Sequence, residues 1–129
     1  MSSKKQYIYE LERKMREQIE RQNAQRDVMN DLARHRESIQ NIVNEGLNKY
    51  VSIQNLKEEI QNIERIVNTD PFEARNLSYE LSSDINYLIN VALNRKIEQE
   101  RIIREQKDKN KQSILDYFNK TISAINDII

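Results

Sequence analysis

Glycine and proline each occur once in these 129 residues, and the position of the proline constrains the fold more than any other feature. Pro71 stands between Asp70 and Glu73, in an order typical of the start of a helix. Asp70 can accept a hydrogen bond from a first-turn amide, proline has no amide to leave unpaired there, and Glu73 can complete a capping box. Because the residue before a proline is disfavoured in the helical region, we predict that one helix ends near Val67 and the next begins at Pro71.

The composition is that of long exposed helices. Charged residues make up 33% of the chain, hydrophobic residues only 37%, and the mean hydropathy is −0.89. Such a chain is too polar for a large globular core, yet its apolar residues recur at helical spacing. We therefore predict an all-α fold, an elongated antiparallel helical hairpin or coiled coil in a single domain over residues 1–129, assembled into an oligomeric bundle. Its expected parts are a helix over about 4–67, a turn at 68–71, a helix over about 71–106 and a helix over about 113–129, separate from or continuous with the previous one.

A seven-residue repeat runs through the first predicted helix. It predicts a packing seam that contains several polar residues and the glycine, namely Ile8, Leu11, Met15, Gln18, Gln22, Gln25, Met29, Leu32, Arg36, Ile39, Val43, Gly46, Tyr50 and Ile53. A glycine inside a helix costs about 1 kcal/mol relative to alanine, which a long packed helix can absorb. We expect a continuous helix, with a break near residues 44–47 as the alternative.

The second half of the chain carries apolar residues on more than one face. One stripe comprises Leu77, Leu81, Ile85, Leu88 and Ala92, and a neighbouring one comprises Ile89, Leu93 and Ile97. Residues 94–113 are polar, so we expect an exposed helix that frays or breaks around residues 107–112. A third stripe then follows at the end of the chain. Because one antiparallel neighbour cannot cover all these faces, we predict a homodimer whose core includes Leu56, Ile60, Ile63, Leu81, Leu88 and Ile89. The predicted partner and oligomer interface is Leu81, Ile85, Leu88, Ile89, Leu93, Ile97, Phe118, Ile122, Ile125 and Ile129.

The residue types that carry catalysis or bind cofactors are scarce. There is no cysteine, so a thiolate nucleophile or cysteine zinc site is excluded, and a single glycine cannot build a phosphate-binding loop. His35 lies one helical turn after Asp31, but one such pair supplies too few ligands for a metal, and a solvated surface pair is the expected role. We predict no enzymatic activity, no cofactor and no metal site.

Charge is unevenly distributed although the net charge is zero. Residues 1–36 carry nine basic and six acidic side chains, residues 37–93 four and nine, and residues 94–129 eight and six. In a hairpin that turns at Asp70, the first and third segments would lie side by side and form a basic open end. Such an end favours an acidic partner, a membrane surface or nucleic acid.

The start of the chain has no apolar segment of the kind found in secretion signals, and no stretch approaches the roughly 20 apolar residues of a membrane span. Together with the lack of cysteine, this predicts a cytoplasmic protein. The predicted function is a non-catalytic structural or protein–protein interaction module, an adaptor, scaffold or accessory factor that works through helix faces. It would self-associate and bind another protein. The alternative is a nucleic-acid-associated regulatory protein that uses the basic open end.

Overall fold

A computed structural model describes residues 2–129, and over this range the chain is all-α, with three α-helices, one short 3₁₀ helix and no strand. The helices are α1 (Ser3–Asn44), α2 (Gln54–Ile66) and α3 (Pro71–Ile128), and the 3₁₀ helix is Leu47–Lys49. The chain divides into two compact units, of which the first ends at Ala92 and the second is Leu93–Ile129. The predicted all-α hairpin with a C-terminal helical segment is confirmed.

The predicted continuous helix over residues 4–67 is wrong, because α1 ends at Asn44. Gly46 adopts the left-handed conformation with φ 72°, which residues with a side chain rarely adopt. The Gly46 amide donates to the Val43 carbonyl at 3.0 Å and closes the last turn of α1. The connection that follows buries Leu47 and Val51 in the core. Burial of these two side chains gives the break a stabilisation that the helical pattern did not reveal.

The predicted turn between the last two helices is confirmed. Asp70 caps α3, since its Oδ1 accepts a hydrogen bond from the Glu73 amide at 3.1 Å. The Asp70 amide itself donates to the Ile66 carbonyl at 2.7 Å, so it needs no reciprocal bond from Glu73. The cap therefore consists of the Asp70 side-chain bond, and the predicted capping box with Glu73 is wrong because the Asp70 amide is already bonded to α2.

Contacts between the helices give their directions within the first unit. Arg36 of α1 pairs with Glu64 of α2, and the Arg21 Nη2 donates to the Thr69 carbonyl at 3.3 Å, so α1 and α2 are antiparallel. His35 of α1 contacts Ser78 of α3. His35 follows Arg21 along α1, and Ser78 likewise follows Thr69 along the sequence. α1 and α3 therefore run in the same direction, with α2 antiparallel to both. Residues 3–20 of α1 precede Arg21 and extend past the α2–α3 turn.

One apolar core joins the three helices of the first unit. It consists of Val28, Leu32, Ile39, Ile42, Leu47, Val51, Leu56, Ile60, Ile63, Val67, Ala74, Leu81, Ile85 and Ala92. The predicted seam of α1 is partly wrong: Met29, Arg36 and Val43 are exposed, whereas Val28 and His35 are buried. The buried residues still follow a helical repeat, but it is shifted from the predicted heptad because His35 occupies one of its inward positions.

The expected fray or break around residues 107–112 is also wrong, because α3 continues without interruption from Pro71 to Ile128. Pairs of residues three or four apart stabilise this polar stretch, including Gln106 with Asn110 and Gln112 with Asp116. The third helix of the prediction is thus the C-terminal part of α3.

The three-helix arrangement changes two further expectations. Leu56, Ile60 and Ile63, placed in the core of a dimer by the sequence, are buried within a single chain.

The prediction of a basic open end assumed one hairpin with its only turn at Asp70. Because α1 ends at Asn44 and its Arg21 lies beside Thr69, the basic N-terminal segment is at the turn end of the core. The premise for that charge arrangement is therefore wrong.

Candidate interaction surfaces

The ten residues of the predicted interface fall into three groups. Leu81 and Ile85 are buried among α1, α2 and α3, so in this fold their side chains serve the chain's own core. Leu88 and Ile89 are half-buried and pack against that core. The remaining six are exposed and belong to the second unit: Leu93, Ile97, Phe118, Ile122, Ile125 and Ile129. The chain itself covers Leu81 and Ile85, because two of its helices, α1 and α2, pack on this part of α3.

An exposed apolar surface of the second unit lies near the end of α3. We call it the terminal stripe, and it comprises Ile114, Phe118, Ile122, Ile125 and Ile129. Phe118 is 63% exposed and Ile129 97%. The spacing of four, four, three and four residues places all five side chains within an arc of roughly 80° on the helix. They form one continuous apolar face.

A second exposed apolar face lies on α1, and sequence reasoning assigned it wrongly. We call it the N-terminal stripe, and it comprises Ile8, Leu11, Met15 and Ile19. The sequence suggested that Ile8, Leu11 and Met15 continue the inward seam of α1. At 3.6 residues per turn, this stripe points roughly 150° away from the side of α1 that packs in the core. A shift of apolar positions from Ile19 to Ala24, which breaks the heptad, is the sequence signal of this change of face.

His35 is the one buried titratable side chain at the α1–α3 contact, with 6% of its surface exposed. Its Nε2 lies 3.1 Å from the Ser78 carbonyl oxygen and 3.0 Å from the Ser78 Oγ, so a ring protonated at Nε2 can donate to these oxygens. Burial lowers the pKa of His35 below its ordinary value, and the Ser78 bond and Asp31 oppose this in part. The solvated surface role predicted for His35 is wrong. His35 is a core residue whose contact with Ser78 joins α1 to α3.

Two carboxylates meet at the contact of α2 with α3. Burial raises the pKa of Glu59, and the nearby charge of Asp84, a hydrogen bond between the two side chains and the charge of Glu80 raise it further. Over residues 2–129 no group of three or more metal-ligating side chains has the arrangement needed to hold an ion.

The basic tract of the second unit, residues 95–111, is partly neutralised by its own carboxylates. Arg101 pairs with Glu98 and Glu105, and the hydrogen bond from Arg101 lowers the pKa of Glu98. These are contacts along one exposed helix, which stabilise it modestly and are weakened by salt. Because the acids lie among the cations, the tract offers phosphate groups a diluted attraction.

Comparison with known proteins identifies no relative: no family model, no curated protein and no solved structure matches the chain. Among the helices of residues 2–129, none has the length and apolar character needed to span a bilayer.

Proposed function

We propose that this protein is a non-catalytic structural or protein–protein interaction module that binds its partners through exposed helix faces. The observation that carries this proposal is the contrast between a closed core and two apolar stripes that the chain leaves uncovered. The N-terminal stripe and the terminal stripe are continuous faces of large side chains, and contiguous exposed apolar surface of this kind marks interaction sites. An adaptor, a scaffold or an accessory factor would use such faces.

The geometry of the stripes supports recognition of another helix. Apolar residues three and four positions apart form a ridge that packs into the groove of a neighbouring amphipathic helix. In α1 the N-terminal stripe points away from the core-facing side, so a partner helix can bind it without displacing α2 or α3. A cytoplasmic setting is part of the proposal, since a chain without cysteine needs no oxidising compartment.

Photocrosslinking tests this function in the cells that produce the protein. A benzophenone amino acid is placed at Leu11 or Phe118, on the two stripes, and at Glu17 or Lys120, exposed positions on the opposite sides of the same helices. We expect protein adducts from the two stripe positions and at most traces from the two control positions. Equal yields from all four positions, or no protein adduct from any of them, would contradict the proposal.

The alternative function, a nucleic-acid-associated regulator, is favoured by one observation. Seven cations fall within residues 95–111. Four carboxylates lie in the same tract, and Arg101 is already paired with two of them, so we rank this function second. Binding to duplex and single-stranded probes, measured across a salt series, separates the two. A nucleic-acid binder retains affinity near physiological ionic strength with a steep salt dependence, whereas the interaction module shows no binding there.

A further inference from the structure

We propose that the occupant of the terminal stripe is a second copy of this chain, paired antiparallel about Ile122. This inference rests on the proposed function, because it names the partner of one of the two helix faces. Three observations on residues 112–129 support it: the symmetry of the stripe, the placement of charge around it, and the area it exposes.

The terminal stripe reads almost the same in both directions. Its spacing is four, four, three and four residues, and in reverse four, three, four and four. When two copies cross antiparallel, Ile114 of one faces Ile129 of the other, Phe118 faces Ile125, and Ile122 lies at the twofold axis. A two-fold interface requires this self-complementarity, because the same patch serves both subunits.

The sides of the stripe are uncharged, which is compatible with pairing to an identical helix. Its two borders carry polar or small neutral residues together with an aromatic side chain, namely Gln112, Asn119 and Asn126 on one side and Tyr117, Thr121 and Ala124 on the other. The charged residues Asp116, Lys120 and Asp127 lie roughly 180° from the centre of the stripe. Charges beside a helical seam determine which partner helix binds. This seam has no flanking charges, so nothing beside it repels an identical helix.

Charge also determines the orientation of the pair. Towards the N-terminus, the line of the terminal stripe continues through four cations and one acid: Lys96, Glu100, Arg104, Lys107 and Lys111. A parallel pair would place Lys107 and Lys111 against the same residues of its copy. In the antiparallel pair, the two Lys111 side chains lie roughly 30 Å apart along the axis, well beyond the Debye length of about 10 Å at 0.1 M salt. The antiparallel arrangement therefore avoids the repulsion.

The apolar area available is of the size that a stable dimer needs. The five side chains of the terminal stripe are each exposed over about half of their surface or more. At roughly 100 Å² of apolar surface per side chain, they offer roughly 500 Å² per subunit, so a pair buries roughly 1,000 Å² in total, the area that a specific interface requires.

Sedimentation equilibrium over a wide concentration range tests the pairing. We expect the native chain to dimerise and Ile122→Asp to raise the dissociation constant about 100-fold or more, since two apolar contacts are lost and two charges are brought together at the axis. Ile102→Asp is the matched control, because Ile102 is an equally exposed isoleucine on the opposite side of the same helix. The control should dimerise as the native chain does. Circular dichroism establishes that each variant keeps its helices.

Disulfide trapping tests the orientation, and the absence of native cysteine makes it unambiguous. Phe118→Cys and Ile125→Cys are oxidised separately and as a mixture. In the antiparallel pair, the mixture yields a disulfide between the two variants, whereas Phe118→Cys alone yields little, because its two sulfurs lie too far apart. Rapid self-linkage of Phe118→Cys would instead show a parallel pair and overturn the inference.

A mass of 15.5 kDa at every concentration would also overturn the second-copy assignment. That result leaves the proposed function testable by itself, because photocrosslinking from position 118 to a different protein would show that the stripe binds a heterologous partner. A dimer that Ile122→Asp and Ile102→Asp weaken equally would place the contact elsewhere and equally contradict the inference.

Discussion

α2 and the last turns of α3 carry apolar residues at the same spacing but in opposite environments. Leu56, Ile60 and Ile63 of α2 are separated by four and three residues, as are Phe118, Ile122 and Ile125 of α3. The first three are buried, whereas each of the second three exposes about half of its surface or more. The spacing therefore determines which face of a helix is apolar. It does not determine whether another helix of the same chain packs on that face.

Chain connections account for the difference. The break at Gly46 and the turn before Pro71 bring α1 and α3 onto α2, and these two neighbours cover its apolar face. The second unit is one uninterrupted helix, so it contains no other element that can pack on the terminal stripe. The same pattern thus forms a core in one region and an exposed apolar face in the other.

The largest contrast is expected from truncating one apolar side chain in each region. Leu81→Ala should lower the free energy of unfolding by about 2–5 kcal/mol, because it leaves a cavity in a packed core. Ile122→Ala should lower it by less than about 0.5 kcal/mol in dilute solution, since the side chain is exposed. Urea denaturation followed by circular dichroism measures both. Similar losses for the two variants would mean that the terminal stripe is part of the folded core.

The connection that closes the core can be tested at Gly46. Replacing Gly46 by alanine should cost about 1–2 kcal/mol, because a side chain disfavours the left-handed backbone. A Cβ there meets no atom within 4 Å, so steric overlap adds nothing to this cost. Gly46→Asn is the control and should lose less, since asparagine tolerates this conformation better. If alanine instead increases stability, α1 continues past Asn44 in solution and the account of the break is wrong.

The two helix caps provide a smaller contrast of the same kind. Asp70→Ala should lower the free energy of unfolding by about 1 kcal/mol, because Asp70 caps α3 where the helix enters the core. Ser2 caps α1 through a 3.3 Å bond from the Lys5 amide, at a segment with exposed side chains. Ser2→Ala should therefore leave global unfolding unchanged and only fray the helix end. Thermal denaturation of both variants gives the comparison, and equal losses would show that residues 3–20 are coupled to the core.

The smallest expected effect is a pH dependence confined to the core. Because the pKa of His35 is lowered on folding, the unfolded chain binds the extra proton more readily, and stability falls as the pH drops below about 6.5. Glu59 acts in the opposite sense: its raised pKa makes a contribution that is present at low pH and is lost as the pH rises above about 4.5. The free energy of unfolding is measured against pH for the native chain and for His35→Gln. The difference between the two profiles isolates the contribution of His35. A difference between the two profiles that does not change between pH 7 and pH 5 would contradict its burial.

The sequence predicted the elements that depend on local chemistry. The cap at Asp70, the proline start of α3 and the helical character of the chain follow from residues within one or two turns, and the structure confirms them. The exposed positions of the terminal stripe were likewise identified as surface residues. Their role as an interface stays a prediction.

The failures concern residues whose environment is set by distant parts of the chain. Gly46 can sit inside a helix or end it, and the outcome depends on burying Leu47 and Val51 against segments far along the sequence. His35 looks like a surface residue until Ser78 of α3 provides its hydrogen-bond partner. Leu81 looks available to a partner until α1 and α2 both pack on α3. Local patterns carry no information about such contacts.

Hydrogen exchange at two protein concentrations tests the central claim most directly. The claim is that residues 56–92 are closed by the chain itself, whereas residues 112–129 are covered only by a second molecule. Amides of residues 56–92 should therefore exchange slowly at both concentrations, while those of residues 112–129 should exchange quickly in dilute solution and slow markedly in concentrated solution. Strong protection of residues 112–129 that is independent of concentration would contradict the account, because the chain would then cover its own terminal stripe.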